Sequence, residues 1–339
     1  MRAPANNFNL LRLAFALMVA AYHLVFLSGI EAWSGTIHFL STFAEIGVQG
    51  FFVLSGFLVY ASLDRSTSLP LYAEKRVRRL YPAYAVVVLA CAAAACAVSH
   101  EARGDLAAVG RYLAANLAFA NFLEPSLPGV FASPANIVPE VNGALWTLKI
   151  EVMFYLILPL LAWFLRVAGR ARWFVIVFIY AGAEVWRLGL ESIDQAELSR
   201  QLPGQMSFFI TGMALYRLRW TGIRMHLAGM VGAVLLTLTF LVPGAEPLRA
   251  IGLGCCAAWA AIAAPRLPDA ARFGDLSYGL YVVHFPVIQT VAALGLFASS
   301  AWVGVGAAAI ASLVAALILW HFVEKPWLRK DSPYRAASA

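Results

Sequence analysis

The segment from Phe8 to Leu27 reads FNLLRLAFALMVAAYHLVFL and carries one formal charge, at Arg12. A helix that crosses a bilayer needs about 20 predominantly apolar residues, and this segment supplies them. Because no convincing small-residue cleavage site follows it, the segment predicts a retained first transmembrane helix and not a cleaved signal peptide.

The rest of the chain has the same character. Of its 339 residues, 62% are hydrophobic and 13% are charged, whereas soluble domains are about half apolar and a quarter charged. So few charges cannot cover a water-exposed surface. We therefore predict an all-α polytopic membrane bundle of about ten transmembrane helices within residues 1–330, followed by a disordered cytoplasmic tail at 331–339. The predicted spans are 8–28, 43–62, 81–98, 144–165, 173–190, 204–219, 226–242, 248–264, 276–297 and 301–322.

The basic residues predict the orientation of this bundle. If the N-terminus is cytoplasmic and the spans alternate, 19 of the 25 basic residues fall on the inner side, four on outer loops and two within spans. This asymmetry follows the positive-inside rule. An even number of spans then places both termini in the cytoplasm. The same distribution explains the net charge of +7 without a nucleic-acid partner.

The longest outer segment runs from Ser99 to about Gly143 and contains four prolines. Loops of this length are uncommon unless they are functional. We therefore predict that it forms a lid or wall over an outward-facing site. Within it, the moderately apolar stretch 106–123 predicts an interfacial or re-entrant helix.

Ionisable side chains are costly inside a bilayer, so each one marks a candidate functional position. Arg12 and His23 lie 11 residues apart on the first span. This spacing places them within about 20° of each other around the helix and about 16 Å apart along its axis. Their shared face predicts a polar lining. The alternatives are a snorkelling anchor at Arg12 and a structural histidine at His23.

Two later spans also carry polar faces. Glu151 and Tyr155 share a face of the fourth span, and a buried carboxyl must be paired or protonated. A structural ion pair, for example with Arg187, is the alternative to a functional Glu151. On the ninth span, Ser277, Tyr281 and His284 share one face. Pro286 follows them, which predicts a kink or freed backbone carbonyls.

The run Lys75-Arg76-Val77-Arg78-Arg79 at the cytoplasmic start of the third span has four basic residues in five. That is more than membrane anchoring needs. Because arginine binds phosphate bidentately with fixed geometry, the cluster predicts a polyanionic cytoplasmic ligand.

Two further patterns have structural interpretations. Gly47, Gly50 and Gly56 in the second span predict close helix packing. The four cysteines lie in apolar segments, so we expect buried thiols with neither a disulfide nor a metal site. They are Cys91, Cys96, Cys255 and Cys256.

An inner phosphate-binding cluster below an imidazole fits two functions. The protein could transport a phosphorylated solute, or it could transfer a group from a long, thin phosphorylated donor such as acyl-coenzyme A (acyl-CoA). In the second case imidazole is the expected general base, because it titrates near neutral pH and can take a proton from a hydroxyl.

Six motifs, in order along nearly the whole chain, resemble acyltransferase family 3, the polytopic O-acyltransferases that modify bacterial surface polysaccharides and related glycans. They are Arg12-x10-His23; Phe-Phe-Val-Leu-Ser-Gly within Gly47 to Phe57; the basic run continued to Tyr81-Pro82; Trp146-Thr147-Leu148 with Glu151, Phe154 and Tyr155; Ser277-Tyr278-Gly279 with Tyr281 and His284; and Glu324-Lys325-Pro326.

The resemblance implies a catalytic His23 with Arg12 as its functional partner, an important Glu151, and a donor site at Arg76 and Arg79 that Lys75 and Tyr81 extend. It implies no permanently bound cofactor, because acetyl-CoA or another acyl-CoA is the donor substrate. The residues predicted to contact the acceptor are Ser55, Trp146, Tyr155, Tyr281 and His284.

The expected reaction moves an acyl group, most often acetyl, to a hydroxyl of an extracytoplasmic or lipid-linked glycan at the bacterial inner membrane. His23 either deprotonates the hydroxyl or carries the acyl group as a transient acyl-histidine. Because the sequence ends about 17 residues after the last predicted span, the protein either completes the transfer or passes the acyl group to a separate extracytoplasmic transferase or polysaccharide assembly protein. The alternatives are a transporter or flippase and a structural membrane subunit.

Overall fold

The computed structural model describes residues 6–265, 274–330 and 332. All regular elements of this part of the chain are helical, which confirms the all-α fold. The predicted inner-side residues Arg2, Arg266, Arg272 and Arg335 lie outside the described residues, as does the predicted tail except Ser332. The helices are α1 Phe8–Ser28, α2 Ser34–Asp64, α3 Leu69–Val98, α4 His100–Gly104, α5 Leu106–Leu117, α6 Trp146–Val167, α7 Arg172–Glu191, α8 Ala196–Ser199, α9 Leu202–Leu218, α10 Ile223–Leu241, α11 Arg249–Ile262, α12 Leu276–Ala293, α13 Leu296–Ser299, α14 Ala301–Ile318 and α15 Lys325–Trp327.

Eight helices of the described chain are long and apolar enough to cross a membrane: α1, α2, α3, α6, α7, α10, α12 and α14. The remaining two predicted spans are also helices, but α9 has 17 residues and α11 has 14. Both are shorter than the roughly 20 residues of a straight crossing. The protein is therefore a polytopic membrane helix bundle.

Helix α3 begins twelve residues before the predicted span at 81–98, so the basic run lies inside the helix and not before it. The hydroxyl of Ser68 accepts a hydrogen bond from the backbone N–H of Leu71 at 3.3 Å, as an N-terminal capping residue does. Hydropathy misses this first part because lysine, arginine and glutamate are good helix formers but polar.

The segment between α3 and α6 begins with two short helices. Ser99 caps α4 by accepting from the N–H of Ala102 at 3.1 Å, and Asp105 caps α5 by accepting from Ala108 at 2.9 Å. Helix α5 ends shortly before Phe119, which adopts a positive φ of 60°. The helix predicted within 106–123 is thus present at Leu106–Leu117.

The described residues form two compact units. The first unit comprises residues 6–12, 46–73 and 150–265. In it, α2 and α9 pack backbone to backbone: a Cβ atom at Gly56 would lie 2.1 Å from the carbonyl oxygen of Phe209, and one at Gly212 would lie 2.1 Å from that of Val53. The close packing predicted for Gly56 is confirmed.

The second unit comprises residues 13–45, 74–149 and 274–330, and in it α12 packs against α14. Gly274, just before α12, has a φ of +119°. A Cβ atom there would lie 2.2 Å from the ring of the fully buried Trp320. Glycine therefore allows the chain to enter α12 at this point.

Pro286 interrupts the hydrogen-bond ladder of α12, because proline has no N–H to offer the carbonyl of Val282. The side-chain amide of Asn142 donates to that carbonyl at 2.8 Å. The predicted freed carbonyl is therefore real, and a side chain from the segment before α6 satisfies it.

Replacing Asn142 by leucine is expected to lower the free energy of unfolding by about 1–3 kcal/mol, because the Val282 carbonyl would be buried without a partner. In a Pro286→Ala background the residue at 286 supplies its own N–H. The same Asn142→Leu change should then cost clearly less. Unfolding of the four proteins in detergent measures this coupling; an equal loss in both backgrounds would contradict the assignment.

Candidate active site

Two histidines of the second unit form a direct contact. His23 lies on α1 and His284 on α12, and Nδ1 of His23 is 2.9 Å from Nε2 of His284. Their ring centroids are 5.1 Å apart. His284 is buried, with 1% of its surface exposed, whereas His23 is half-buried.

The hydrogen bonds of this pair determine which nitrogens carry protons. Nδ1 of His284 lies 3.1 Å from the carbonyl oxygen of Leu280. A carbonyl can only accept, so this Nδ1 must be the protonated nitrogen, and Nε2 of the neutral ring is left as an acceptor. His23 must then donate from Nδ1. Its Nε2 consequently keeps a lone pair, which is the form a general base or a nucleophile needs.

Aromatic rings surround the pair. Phe285 meets the His23 ring edge-on at 5.1 Å between centroids, and Tyr22 lies at 5.2 Å. Tyr281 meets the His284 ring edge-on at 5.8 Å. Its hydroxyl is 2.6 Å from that of Thr147 on α6. Tyr281, a residue predicted to contact the acceptor, therefore packs against the ring of His284.

The segment preceding α6 is bonded to α12 on the C-terminal side of His284. Gln289 donates to the backbone carbonyls of Val138 and Glu140 at 2.7 and 2.9 Å, and Asn136 donates to the Gln289 side chain at 2.9 Å. On the N-terminal side of His284, the Asn142 side-chain amide donates to the backbone carbonyl of Val282. These bonds attach the segment to α12; a lid or wall over an outward-facing site stays a prediction.

A second polar group lies in the first unit, around Glu151 of α6. Ser55 of α2 donates to Oε1 of Glu151 at 2.9 Å, and the hydroxyl of Tyr155 donates to the same oxygen. Tyr72 in turn donates to the backbone carbonyl of Tyr155 at 3.1 Å. Pro159 frees that carbonyl, since it has no N–H four residues later. Three predicted site residues, Ser55, Glu151 and Tyr155, therefore form one cluster.

A structural ion pair with Arg187 was the predicted alternative to a functional Glu151. Arg187 is buried on α7 and forms ion pairs with two carboxylates of its own helix, at 2.6 Å to Glu184 and 3.3 Å to Glu191. Two donated hydroxyl bonds already stabilise the Glu151 carboxyl group, so its surroundings are polar without a cation among these partners.

Replacing Glu151 by alanine is expected to leave the Ser55 and Tyr155 hydroxyls without their acceptor and to cost about 1–3 kcal/mol of stability. Glu151→Gln keeps one carbonyl oxygen and should cost less. Thermal unfolding in detergent measures both. Equal stability of the alanine variant and the unsubstituted protein would show that this cluster does not hold α6 to α2.

Two of the four basic residues in the run of α3 form ion pairs with carboxylates. Arg79 forms ion pairs with Asp275 and Glu324, at 2.8 and 2.7 Å. Arg78 pairs with Glu74 at 2.8 Å, near the surface. The other donor-site residues are Lys75, half-buried; Arg76, buried with 9% exposed; and Tyr81, 38% exposed on the next turn.

Arg12 and Trp146 complete the predicted set. Arg12 is buried, with 7% of its surface exposed, near the start of α1 and within the first unit. Trp146 is the first residue of α6, half-buried, within the second unit. The structure thus joins His23 with His284 and Ser55 with Glu151 and Tyr155.

The protein-family model described as an acyltransferase domain (Acyl_transf_3) matches residues 6–321, almost the entire chain. The protein belongs to acyltransferase family 3. Membership confirms the resemblance carried by the six motifs and makes the protein an integral membrane acyltransferase. It favours this function over the transporter and structural-subunit alternatives.

Several curated proteins are similar to this acyltransferase along more than nine-tenths of their length. Nodulation protein 10 of Rhizobium leguminosarum bv. viciae is 30% identical, over 96% of this chain and 93% of its own. The O-acetyl transferase of Shigella phage Sf6 is 25% identical, over 97% and 98%. The exopolysaccharide production protein ExoZ of Rhizobium meliloti (strain 1021) is 26% identical, over 88% and 93%. No solved structure matches.

The sequence did not reveal the partners of several predicted site residues. The prediction assigned His284 to the acceptor and did not pair it with His23, and it assigned Arg79 to the donor without its carboxylates. The motif containing Trp146 also contains Thr147, whose hydroxyl contacts Tyr281. A signal was available for the first pair: two intramembrane histidines in one chain are each expected to need a polar partner.

Proposed function

We propose that this protein is a membrane O-acyltransferase that moves an acyl group, preferably acetyl, from cytoplasmic acyl-CoA to a hydroxyl of an extracytoplasmic or lipid-linked glycan. The family match supports acyl transfer. The names of two relatives, an O-acetyl transferase and an exopolysaccharide production protein, favour acetyl as the group and a polysaccharide as the acceptor. The bacterial inner membrane is the proposed location, consistent with a donor made in the cytoplasm.

One observation carries the chemistry: the hydrogen bonds from Leu280 through His284 to His23 leave the lone pair on Nε2 of His23. That nitrogen can take the proton of an acceptor hydroxyl as the hydroxyl oxygen attacks the thioester carbonyl. The C–S bond then breaks, and the departing thiolate takes the proton from the imidazolium. The products are the glycan ester and free coenzyme A.

The same lone pair would serve a two-step route. Nε2 attacks the thioester carbonyl, and coenzyme A leaves as the thiolate. The glycan hydroxyl then attacks the acyl-imidazolium, the bond from the acyl carbon to Nε2 breaks to return neutral His23, and the hydroxyl proton goes to the coenzyme A thiolate. In both routes the imidazolium or acyl-imidazolium keeps its Nδ1–H bond to Nε2 of His284. His284 therefore acts toward His23 as the orienting carboxylate acts toward histidine in a catalytic triad.

The proposed donor site uses Lys75 and Arg76 for the phosphates of coenzyme A, since both lie in the basic run of α3 on the side that the positive-inside rule makes cytoplasmic. Tyr81 lies on the next turn of the same helix. The proposed acceptor site uses Trp146 and Tyr281 of the second unit. For the first-unit residues Ser55, Glu151, Tyr155 and Arg12, a role in the reaction stays a prediction.

The test uses the purified protein in lipid nanodiscs, with acetyl-CoA labelled in the acetyl group and the host's own cell-envelope glycan fraction. We expect free coenzyme A to be released in the same amount as label is incorporated into the glycan. Alkali should remove this label, because an O-acyl ester is alkali-labile. Labelled succinyl-CoA, run in parallel, tests the choice of acyl group. Glycan fractions from both the lipid-linked and the polymer pools that take up no label from either donor would overturn the proposal.

A further inference from the structure

Arg79 is the centre of a buried charge group in the second unit. Its guanidinium bonds Asp275 through Nη2 at 2.8 Å and Glu324 through Nη1 at 2.7 Å. The exposed fractions of the three side chains are 10%, 2% and 1% respectively. The remaining oxygen of Asp275 accepts from the Ser277 hydroxyl at 2.6 Å. These bonds link Arg79 of α3 to both carboxylates and, through Asp275, to Ser277.

The two carboxylates occupy the ends of helices. Asp275 immediately precedes α12, and Glu324 closes a π-helical turn, Leu319–Glu324, that follows α14. Turns of this kind are rare and concentrate at functional positions. On the neighbouring residue of α3, the carbonyl of Leu80 accepts from the Tyr278 hydroxyl at 2.7 Å. Thus α3 holds the first turn of α12 at two adjacent points.

We propose that Arg79 is a positioning residue for His284 and not a ligand of the donor phosphates, an inference that rests on the acyl-CoA reaction proposed above. A phosphate approaching Arg79 would meet two carboxylates already bonded to it, and like charges at such distances repel strongly at a buried site. The guanidinium is therefore committed to the protein.

The positioning role follows from the length of α12. His284 lies nine residues after Asp275, about 14 Å along the helix axis. A tilt or shift of the anchored end would move Nε2 of His284 relative to His23, whose hydrogen bond spans 2.9 Å. A displacement of about 1 Å at a catalytic group can cost about 100-fold in rate. Arg79 would thus act on turnover, through His284.

The decisive experiment compares acetyl-CoA with S-acetylpantetheine, a thioester that lacks the nucleotide and every phosphate. The variants are Arg79→Lys and the neutral triple Arg79→Gln/Asp275→Asn/Glu324→Gln, which removes all three buried charges together and so avoids an unpaired one. We expect the triple to lose about 30- to 100-fold in kcat with both donors, while the KM for acetyl-CoA stays within about twofold. Arg79→Lys should restore part of that loss.

The single carboxylate variants distinguish a phosphate-binding Arg79 from a positioning Arg79, because the two roles predict different changes in KM and kcat. If Arg79 binds phosphate, Asp275→Asn and Glu324→Gln make the guanidinium more available and lower the KM for acetyl-CoA. If Arg79 positions α12, both variants lower kcat with either donor and leave that KM unchanged. Arg111→Gln, which breaks an exposed ion pair with Glu124 in the same unit, is the matched control and should change neither constant.

A tenfold or larger rise in KM for acetyl-CoA in the triple, with unchanged turnover of S-acetylpantetheine, would overturn the positioning role. The imidazole 15N chemical shifts of His23 and His284 supply a readout that needs no turnover. Positioning predicts altered shifts in the triple but not in Arg111→Gln, and unaltered shifts overturn it. If the unsubstituted protein is inactive with both donors, the proposed function is refuted. The 15N shift comparison still decides the role of Arg79 in that case, because it does not depend on turnover.

Discussion

Replacement of His23 by alanine is expected to lower acyl transfer about 10²- to 10⁴-fold, the range that a positioned general base contributes. The reason is local: Nε2 of His23 carries the lone pair that the hydrogen-bond chain from Leu280 leaves unprotonated. The measurement is the initial rate of acetate ester formation on glycan in nanodiscs. The KM for acetyl-CoA should change little, because the imidazole acts on the reacting atoms.

His38→Ala is the matched control for this variant, since it removes an exposed histidine from α2 of the same unit. It should retain the full rate. An alkali-labile label that remains on the unsubstituted protein without acceptor, but not on His23→Ala, would select the acyl-histidine route. A His23→Ala protein within about threefold of the unsubstituted rate would refute the catalytic role of His23.

The second large effect is expected at His284. His284→Leu removes the acceptor for Nδ1–H of His23, so both tautomers and several ring orientations become available to His23. A catalytic histidine in the wrong tautomer can cost up to about 10⁴-fold in a serine protease triad. Here we expect a loss of about 10- to 10³-fold in kcat, measured by the same ester assay.

His284→Gln supplies the comparison, because its amide oxygen can accept the Nδ1–H bond in place of the ring nitrogen. The expected order of rates is unsubstituted protein, then His284→Gln, then His284→Leu. The two variants should unfold at similar temperatures if the loss is catalytic. A leucine variant as active as the glutamine variant would show that the acceptor at position 284 has no part in the reaction.

Hydropathy predicted the helices well, because the bilayer requires every spanning backbone to satisfy its own hydrogen bonds and to present an apolar surface. All ten predicted spans are helices. The boundary of α3 was wrong by twelve residues, since polar helix formers such as Lys75 and Arg78 continue a helix that an apolar window ends. The shortness of α11, at 14 residues, was not visible in its hydropathy either.

The residues of the candidate site could be listed from the sequence, but the contacts between them could not be predicted. His23 and His284 are 261 positions apart, and Arg79 is 196 and 245 positions from its two carboxylates. No local spacing records contacts over such separations. The run around Arg79 therefore suggested a phosphate site, whereas the fold brings Asp275 and Glu324 to that guanidinium. The role of Lys75 and Arg76 stays a prediction.

The proposed chemistry requires that neutral His23 carries its proton on Nδ1 and presents an unprotonated Nε2. The 15N spectrum of histidine-labelled protein in lipid tests this directly, with assignments from His23→Gln and His284→Gln. We expect a protonated Nδ1 and an unprotonated Nε2 on both rings, with Nδ1–H of His23 donating to Nε2 of His284. A His23 ring protonated at Nε2, with a bare Nδ1, would contradict it.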